Sequence, residues 1–137
     1  MRRLYFVTTC LLVASMAVAV RAAEKPPADF QKAMKDLGAA MGALAKPGAS
    51  EEYAQAKTHA QSSKDAFAVV VKYWNAKGAA DAIKLADTGA KAAADLFVSA
   101  DLSSSEGIQA AMKDMGATCA ACHTAHREKT ADGFEIK

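Results

Sequence analysis

Apolar residues recur at spacings of three and four along most of this chain, which is the period of one face of an α-helix. Proline occurs only at positions 26, 27 and 47, and no stretch alternates β-branched with polar residues as a half-buried strand does. The pattern therefore predicts an all-α chain that contains four amphipathic helices.

The first two predicted helices are separated by a break at residues 46–48, Lys-Pro-Gly. The first should begin after the proline pair at 26–27, because proline is tolerated at the start of a helix but not inside it. The second should begin at Ser50, whose hydroxyl can cap a first turn, and end at Gly78, because glycine readily takes the conformation that ends a helix. The core-facing positions should be Phe30, Met34, Leu37, Met41 and Leu44 in the first helix, and Tyr53, Ala60, Phe67 and Trp74 in the second.

The third predicted helix spans about residues 80 to 100. The fourth should open with a capping box formed by Ser103 and Glu106 and should end near Gly133. Four such helices with short connections predict an antiparallel up-down-up-down four-helix bundle. The core-facing positions should be Ile83, Ala86, Ala90, Ala93 and Phe97 in the third helix, and Ile108, Met112, Met115, Cys119, Cys122 and His126 in the fourth.

The core of this bundle is predicted to be thin, because the chain is rich in alanine and has few large side chains. The whole chain has only nine aromatic residues, namely five Phe, three Tyr and one Trp. Alanine lets helices approach closely, but it leaves little side-chain volume in the middle of a bundle. Such a core would be marginal unless something bulky and apolar completed it.

Residues 1–22 are predicted to be a secretory signal peptide that is removed. A basic tip, MRR, precedes an uncharged stretch of 17 residues, LYFVTTCLLVASMAVAV, and small residues precede the expected cut after Ala22. The stretch is shorter than the about 20 residues that span a bilayer, so a membrane anchor is the weaker interpretation. Cys10 lies in this segment and should be lost with it. Residues 23–137 should then form one periplasmic domain with no membrane attachment after processing.

The charge of the mature domain argues against a nucleic-acid partner. Three of the 17 basic residues, Arg2, Arg3 and Arg21, belong to the leader, which leaves 14 basic against 15 acidic residues. A surface so close to neutrality lacks the basic patch that binds nucleic acid. Two cysteines remain, Cys119 and Cys122, in a compartment where disulfides can form.

The segment Cys119-Ala120-Ala121-Cys122-His123 has the pattern C-x-x-C-H, the attachment signature of c-type haem. Cysteines three residues apart on a helix lie on nearly the same side, where each thiol can add to one of the two vinyl groups along a haem edge. His123 can then bind the iron from the proximal side. A haem would also be the bulky apolar body that the predicted core lacks.

Three other interpretations of the motif compete with haem. A thioredoxin-like C-x-x-C is expected beside a βαβ unit, which the pattern does not predict. A structural zinc site could use Cys119, Cys122, His123 and His126, but a continuous helix spreads these residues over too wide an arc for tetrahedral geometry. A disulfide within a helix would be strained and would leave His123 without a role. Haem is therefore the favoured interpretation.

A C-x-x-C-H near the C-terminus, an arginine four residues after the histidine and an all-α chain of this length resemble the class II c-type cytochromes. These are the cytochrome c′ group and its low-spin relatives, and the resemblance implies a four-helix bundle with one covalently attached haem c. The segment AMKDLGAAM at 33–41 is also similar to the first helix of the low-spin members, where a methionine can meet the iron. The chain departs from the family pattern at His126, where an aromatic residue is more usual, and in its tail, DGFEIK.

Basic residues next to the motif have different expected roles. The resemblance implies that Arg127 lies near the proximal imidazole or a haem propionate and tunes the iron by its charge. An ordinary solvated arginine near a helix C-terminus is the alternative. His126 leaves the same helix as His123, so it cannot reach the opposite haem face and should pack beside the haem edge or lie at the surface. His59 is expected to be solvated.

Met34 is the predicted sixth ligand of the iron, opposite His123. Met34 and Met41 share one face of the first helix but are about 10 Å apart along it, so only one of them can reach the iron. Counted from the adjacent ends of the first and fourth helices, Met34 matches His123 in height better than Met41, which should pack beyond the haem edge. The alternative is that both are core methionines beside an open or gas-binding iron.

Four further residues inside the predicted helices stand out. Met112 and Met115 precede the motif on the same helix face and are expected to make core contacts, because flexible side chains fill irregular gaps. Gly38 and Gly116 lie inside helices, where each costs about 1 kcal/mol relative to alanine. A close approach of the backbone to haem or to a neighbouring helix would explain them.

No carboxylate pair, activated nucleophile or phosphate-binding loop accompanies the motif, which favours a carrier rather than an enzyme. The first hypothesis is an exported single-haem electron-transfer protein with both axial positions filled. It would work with a redox partner protein, as a monomer or a homodimer. The second hypothesis, from the same resemblance, is a five-coordinate haem that binds a small gas such as nitric oxide. A helical redox or metal-binding module without haem is the third, and it requires that the motif fail.

Overall fold

The computed structural model describes residues 23–137, and the predicted signal peptide, with Cys10, lies outside the described residues. Most of the described chain is helical: α1 (Ala28–Leu44), α2 (Tyr53–Lys77), α3 (Ala80–Asp101) and α4 (Ser105–His126). A short 3-10 helix, Ala49–Glu51, lies between α1 and α2, and a hairpin of β1 (Arg127–Thr130) and β2 (Gly133–Ile136) follows α4. The predicted helical class is confirmed, with a small two-stranded sheet added. Within residues 23–137, none of the helices combines the length and the apolar character that crossing a membrane requires.

Successive helices pack against each other and run antiparallel. Lys57, early in α2, forms an ion pair with Asp101 at the end of α3. Near the same end, Ser105 Oγ at the start of α4 donates a 2.9 Å hydrogen bond to Ser50 Oγ. At the opposite end, Asp81 at the start of α3 lies 3.0 Å from the ring of His126 at the end of α4. These contacts are those of a helical bundle in which neighbours in sequence are neighbours in space.

Small side chains fill most of the core, as the composition predicts. The Ser63 hydroxyl is fully buried and is satisfied within its own helix, because it donates to the carbonyl of His59 at 2.9 Å. The largest side chains that are fully buried are Leu96, Ile108 and Met115. Alanines at positions 56, 60, 82 and 93 have no exposed surface.

A close approach joins α2 and α3 at Gly89. A Cβ atom built on this glycine would lie 2.3 Å from Cε1 of Phe67, which is far inside contact distance. Phe67 is itself buried, with 3% of its surface exposed. The short distance between α2 and α3 therefore depends on the absence of a side chain at Gly89.

The buried face of α3 is rotated from the predicted one. Ala86 and Ala93 are buried as predicted, but Ile83, Ala90 and Phe97 are only partly buried at the edge of the core. The reason is that α3 packs along both α2 and α4, so its buried face is centred between these two neighbours. The buried residues of α3 are Ala82, Ala86, Gly89, Ala92, Ala93, Leu96 and Ala100.

Two predicted helix starts are wrong. Ser50 lies in the 3-10 helix and does not cap α2. Ser104, not Ser103, caps α4 by accepting the N–H of Gly107 at 3.1 Å. The capping residue differs from the predicted one because Ser103 takes the left-handed conformation, with φ of 54°, that ends α3. The N–H of Ser104 then bonds to the carbonyl of Ser99 at 2.8 Å.

The prediction that the fourth helix continues to near Gly133 is also wrong. The helix ends at His126, and Arg127 already has extended backbone angles, φ −116° and ψ 133°. The strands β1 and β2 pair through a tight turn, with Gly133 at φ 132°. The β2 strand also pairs with Glu24, whose N–H and carbonyl each bond to Ile136 at 2.9 Å. The helix can end here because the following backbone groups find hydrogen-bond partners in the hairpin and in the segment before α1.

We expect Gly89→Ala to lower the free energy of unfolding by about 1–3 kcal/mol, because the added methyl group overlaps the Phe67 ring and forces α2 and α3 apart. Gly42→Ala is the matched control. Gly42 lies in α1, and a Cβ built there meets nothing within 4 Å. The control should therefore stabilise the helix by roughly 0.5–1 kcal/mol. Urea unfolding followed by far-ultraviolet circular dichroism measures both effects, and equal stabilities for the two variants would contradict the close approach.

Candidate cofactor site

A cleft separates α1 from α4. The α1 helix packs along α2, and α4 packs along α3, whereas α1 and α4 contact each other at few points. In a fully closed four-helix bundle the first and last helices would pack together. The cleft contains two cavities, and both are lined by Met34 of α1 and by Cys122 and His123 of α4. The cavities therefore adjoin at these three residues.

The first cavity, called the apolar cavity, has a volume of about 240 Å³ and is lined by side chains from all four helices. The hydroxyl of Thr118 in this lining is already satisfied, because it donates to the carbonyl of Asp114 at 3.0 Å. The remaining lining outside the C-x-x-C-H motif is apolar or glycine: Met34, Leu37, Gly38, Met41, Phe67, Val70, Leu85, Ala86 and Gly116.

The second cavity, called the hairpin cavity, has a volume of about 510 Å³ and lies between the start of α1, the ends of α2 and α4, and the β-hairpin. Three cationic side chains line it, those of Lys25, Lys35 and Arg127. None of the three is within ion-pair distance of a carboxylate in residues 23–137. Asp132 and Glu135 of the hairpin also line this cavity. The cleft is therefore apolar at one end and charged at the other.

Cys119 and Cys122 line the apolar cavity from α4, and both thiols are free and partly buried. Their position on one side of the helix agrees with the predicted spacing. Burial raises the pKa of both thiols, and the charges of Cys119 and Asp81 raise the pKa of Cys122 further. Thiol oxidoreductases instead depend on a cysteine whose pKa is lowered. The environment of these thiols does not favour the thioredoxin-like interpretation.

His123 lies where the two cavities meet, and it is partly buried. Burial lowers the pKa of its imidazole, and the positive charge of Arg127 lowers that pKa further. A neutral imidazole is the form that binds a metal ion. Arg127 Nη1 lies 3.5 Å from His123 Nδ1, and the guanidinium group stacks 3.3 Å from the ring centroid of Phe134 in β2. The guanidinium group of Arg127 therefore lies between the imidazole of His123 and the ring of Phe134 in β2.

His126 packs inside the bundle end rather than in solvent. Its ring centroid lies 4.9 Å from that of Trp74, and only 13% of its side chain is exposed. His126 Nε2 is 3.0 Å from Asp81 Oδ2, but the two groups are not aligned as a hydrogen bond. His126 lines the hairpin cavity and not the apolar one.

Met34 lines both cavities together with His123, whereas Met41 lines only the apolar cavity. Because α4 ends earlier than predicted, His123 is three residues, or about 4.5 Å, from the end of that helix. Met34 is six residues, or about 9 Å, from the start of α1, and Met41 is about 20 Å from it. The distance of Met34 from the start of α1 is therefore still closer than that of Met41 to the distance of His123 from the end of α4.

Two glycines leave space on opposite walls of the apolar cavity. A Cβ atom built on Gly38 of α1 meets no described atom within 4 Å, and one on Gly116 of α4 meets only Met41 Cε, at 3.9 Å. The close approach to a neighbouring helix that sequence analysis offers for these glycines is therefore not found among the described residues. Both glycines instead widen the cavity, so that a flat group between α1 and α4 could approach both backbones.

Three other residues singled out by the sequence lie outside the cavity linings. Met115 is fully buried and Met112 partly buried, which confirms the predicted core contacts. His59 is partly buried rather than solvated, and it lines neither cavity.

The donor set of the cleft fits a covalently attached haem better than a zinc ion. Within residues 23–137, no three His, Cys, Asp or Glu side chains converge closely enough to bind a metal ion between them. A c-type haem instead needs two thiols on one helix face, an adjacent imidazole and apolar walls, all of which line this cleft. The cysteines lie within the continuous helix α4, where a disulfide between them would be strained.

The hairpin cavity is the part of the site that sequence reasoning missed. Asp132-Gly133, followed by a strand-forming Phe134, is a recognised hairpin signal that could have predicted the turn. Lys25 and Trp74 are far apart in sequence, and only the packing of α1 against the end of α2 brings both to one cavity. No local pattern marks that convergence.

Comparison of the chain with protein-family models, with curated proteins and with solved structures finds no match. Function is therefore inferred from the residues and geometry of this chain.

We expect α1 to be the helix least protected from amide hydrogen exchange when the protein is produced without haem, and we expect the helix content to fall. The physical reason is that α1 packs mainly on α2 and borders the cleft on its other side, so it can open without disrupting the α2–α3 interface. Exchange measured by mass spectrometry would compare peptides of α1 and α3, with haem-loaded protein as the control. Equal protection of α1 and α3 in the haem-free protein would contradict this expectation.

Proposed function

We propose that this protein is an exported, single-haem c-type cytochrome that carries electrons to and from a redox partner protein. The observation that carries the proposal is the place of the C-x-x-C-H motif. Its thiols and imidazole line one cleft, whose other walls are apolar and include a methionine. Haem, when bound, supplies an iron that accepts and releases one electron.

Cys119 and Cys122 hold the cofactor against α4 in this proposal. Each thiol would add across one vinyl group of the haem, forming a carbon–sulfur bond while the thiol proton goes to the neighbouring carbon, so that no oxidant or reductant is needed. Both thiols line the apolar cavity, which supports their access to an apolar haem edge. Covalent attachment would keep the cofactor in a cleft that α1 closes only in part.

His123 would hold the iron through a nitrogen of its imidazole. Its lowered pKa keeps the imidazole neutral and able to bind, and the cause of that lowering is burial first and Arg127 second. The guanidinium 3.5 Å from Nδ1 also places positive charge beside the ligand, which disfavours the ferric state relative to the ferrous state. Arg127 therefore acts on the reduction potential through His123.

Met34 would hold the iron through its thioether sulfur from the wall of the cleft opposite His123. Its place in the lining of both cavities, next to His123, supports this role over that of Met41. A histidine and methionine pair raises the reduction potential relative to two nitrogen ligands. The apolar cavity would contribute by excluding water, since, within residues 23–137, its lining outside the C-x-x-C-H motif holds no charged side chain.

The lining of the apolar cavity supports the proposed role as a carrier. Beside the motif, the only polar side chain that residues 23–137 contribute to this lining is that of Thr118, whose hydroxyl already donates to the carbonyl of Asp114. Attachment of haem through C-x-x-C-H takes place outside the cytoplasm, which is consistent with the predicted export of residues 23–137 to the periplasm. Neither nucleic acid nor a membrane is part of the proposed mature assembly, which is a monomer or a homodimer.

We expect Cys119→Ala and Cys122→Ala each to lower covalent haem incorporation strongly, and the double variant to abolish it, because each thiol makes one bond. Haem staining after denaturing gel electrophoresis measures the covalent fraction. Ala120→Ser is the matched control, since residue 120 is exposed between the two cysteines and its change keeps both thiols. A stained band in the double variant would rule out attachment through this motif.

We expect Met34→Ala to convert a low-spin absorption spectrum to a high-spin one and to open the iron to carbon monoxide, because the variant lacks the sixth ligand. Met41→Ala is the matched control on the same helix and should stay low-spin. A Met34→Ala protein that remains low-spin would show that another group binds the iron. A wild-type protein that is already high-spin would favour the gas-binding alternative over electron transfer.

A further inference from the structure

Phe134 in β2 is an aromatic residue that lies half exposed beside the candidate site. It is one of three large apolar residues that are exposed among residues 23–137, and 50% of its surface is open to solvent. Burial in the core therefore does not account for the position of its ring. The ring instead lies against Arg127, whose guanidinium carbon is 3.3 Å from the ring centroid. A cation at this place is attracted by the electrons of the aromatic face.

The register of the hairpin explains why these two side chains meet. Arg127 pairs with Ile136, and Lys129 pairs with Phe134, so Arg127 and Phe134 are diagonal neighbours on one face of the two strands. Diagonal neighbours are within reach of long and aromatic side chains. Ile136 also exchanges two hydrogen bonds of 2.9 Å with Glu24, on the other edge of β2. The ring of Phe134 is therefore presented to Arg127 by a strand that is hydrogen-bonded on both edges.

The guanidinium group of Arg127 is held by this ring without a paired anion. On its other side, Nη1 lies 3.5 Å from Nδ1 of His123. Asp132 and Glu135 line the same cavity, but neither forms an ion pair with Arg127. A carboxylate at the place of the ring could also hold the guanidinium group, but its negative charge would oppose the positive charge that reaches the imidazole. The ring of Phe134 has no net charge, so it fixes the cation and leaves its field on His123 intact.

We propose that Phe134 is a positioning residue for the candidate site: its ring holds the Arg127 guanidinium group beside His123 and leaves the positive charge uncompensated. This inference rests on the proposed function, and it adds a residue outside the C-x-x-C-H motif that sets the reduction potential. Phe134 belongs to the tail, DGFEIK, in which the chain departs from the family pattern. A positive charge beside the imidazole disfavours the ferric state, so the contact raises the potential. Phe134 acts only through Arg127.

The test measures the reduction potential of the haem-loaded protein in wild type, Phe134→Leu, Arg127→Gln and the double variant. We expect both single variants to lower the potential, and Phe134→Leu to lower it by the smaller amount. The reason is that a guanidinium group without the ring moves toward water, where its charge is screened. In the Arg127→Gln background, Phe134→Leu should leave the potential unchanged, because the ring has no cation to hold. This double-mutant cycle isolates the coupling between the two residues.

Two control variants separate the aromatic contact from a general loss of apolar surface. Phe134→Tyr keeps an aromatic face against the guanidinium group and should retain the wild-type potential. Leu102→Ala removes an exposed apolar side chain at the end of α3, and it should leave the potential unchanged. A Phe134→Leu protein with the wild-type potential would overturn the proposal. A decrease of equal size in the Arg127→Gln background would also overturn it, because the ring would then act without Arg127.

Nuclear magnetic resonance of the ferrous, low-spin protein measures the contact independently of the potential. The ring current of Phe134 shifts the Nε–H signal of Arg127, and this shift should disappear in Phe134→Leu and persist in Phe134→Tyr. The amide N–H of Ile136, which bonds to Glu24, should stay protected from hydrogen exchange in Phe134→Leu, because this pairing involves only the backbone. Loss of that protection would show that the ring supports the hairpin as a whole, and the positioning role would be rejected.

The failure of this inference differs from that of the proposed function. Haem-loaded, low-spin protein whose potential is the same in wild type and Phe134→Leu would leave the electron-transfer proposal intact and reject the role of Phe134. Wild-type protein that carries no covalent haem would reject both.

Discussion

The separation of α1 from α4 is the constraint on which the candidate site depends. The α2–α3 interface is held close by Gly89, where the Phe67 ring occupies the place of a side chain. The α1 helix is attached along α2 and α4 along α3, so the bundle is tight in its middle and open between its first and last helices. The same Phe67 lines the apolar cavity from behind. Phe67 therefore belongs both to the close α2–α3 interface and to the wall of the cleft between α1 and α4.

The cleft changes from apolar to charged along its length, and the β-hairpin produces the change. If α4 had continued past His126, the side chain of Arg127 would have stayed on the helix surface. The hairpin instead brings Phe134 against its guanidinium group, and pairs with Glu24 just before Lys25. The charged end is thus built from both termini of the described chain.

How far the site could be predicted differs from residue to residue. The C-x-x-C-H spacing predicts that Cys119 and Cys122 share one helix face, because three residues of an α-helix make nearly one full turn. The proximity of Arg127 to His123 is also found, although Arg127 lies outside the helix from which the prediction starts. The rotation of the buried face of α3 could not be predicted, since it depends on which two helices pack against it.

Local chemistry determined the four helices, their breaks at the prolines and at Gly78, and the clustering of thiols and imidazole on the last helix. These features depend on residues within one or two turns of each other, and so the sequence contains them directly. Only the tertiary structure decided that Met34 lies in both cavities beside His123, that α4 ends at His126, and that Trp74 keeps an unpaired N–H. Each of these features depends on packing and hydrogen bonds between segments that are far apart in the sequence, and no local spacing of residues predicts such contacts.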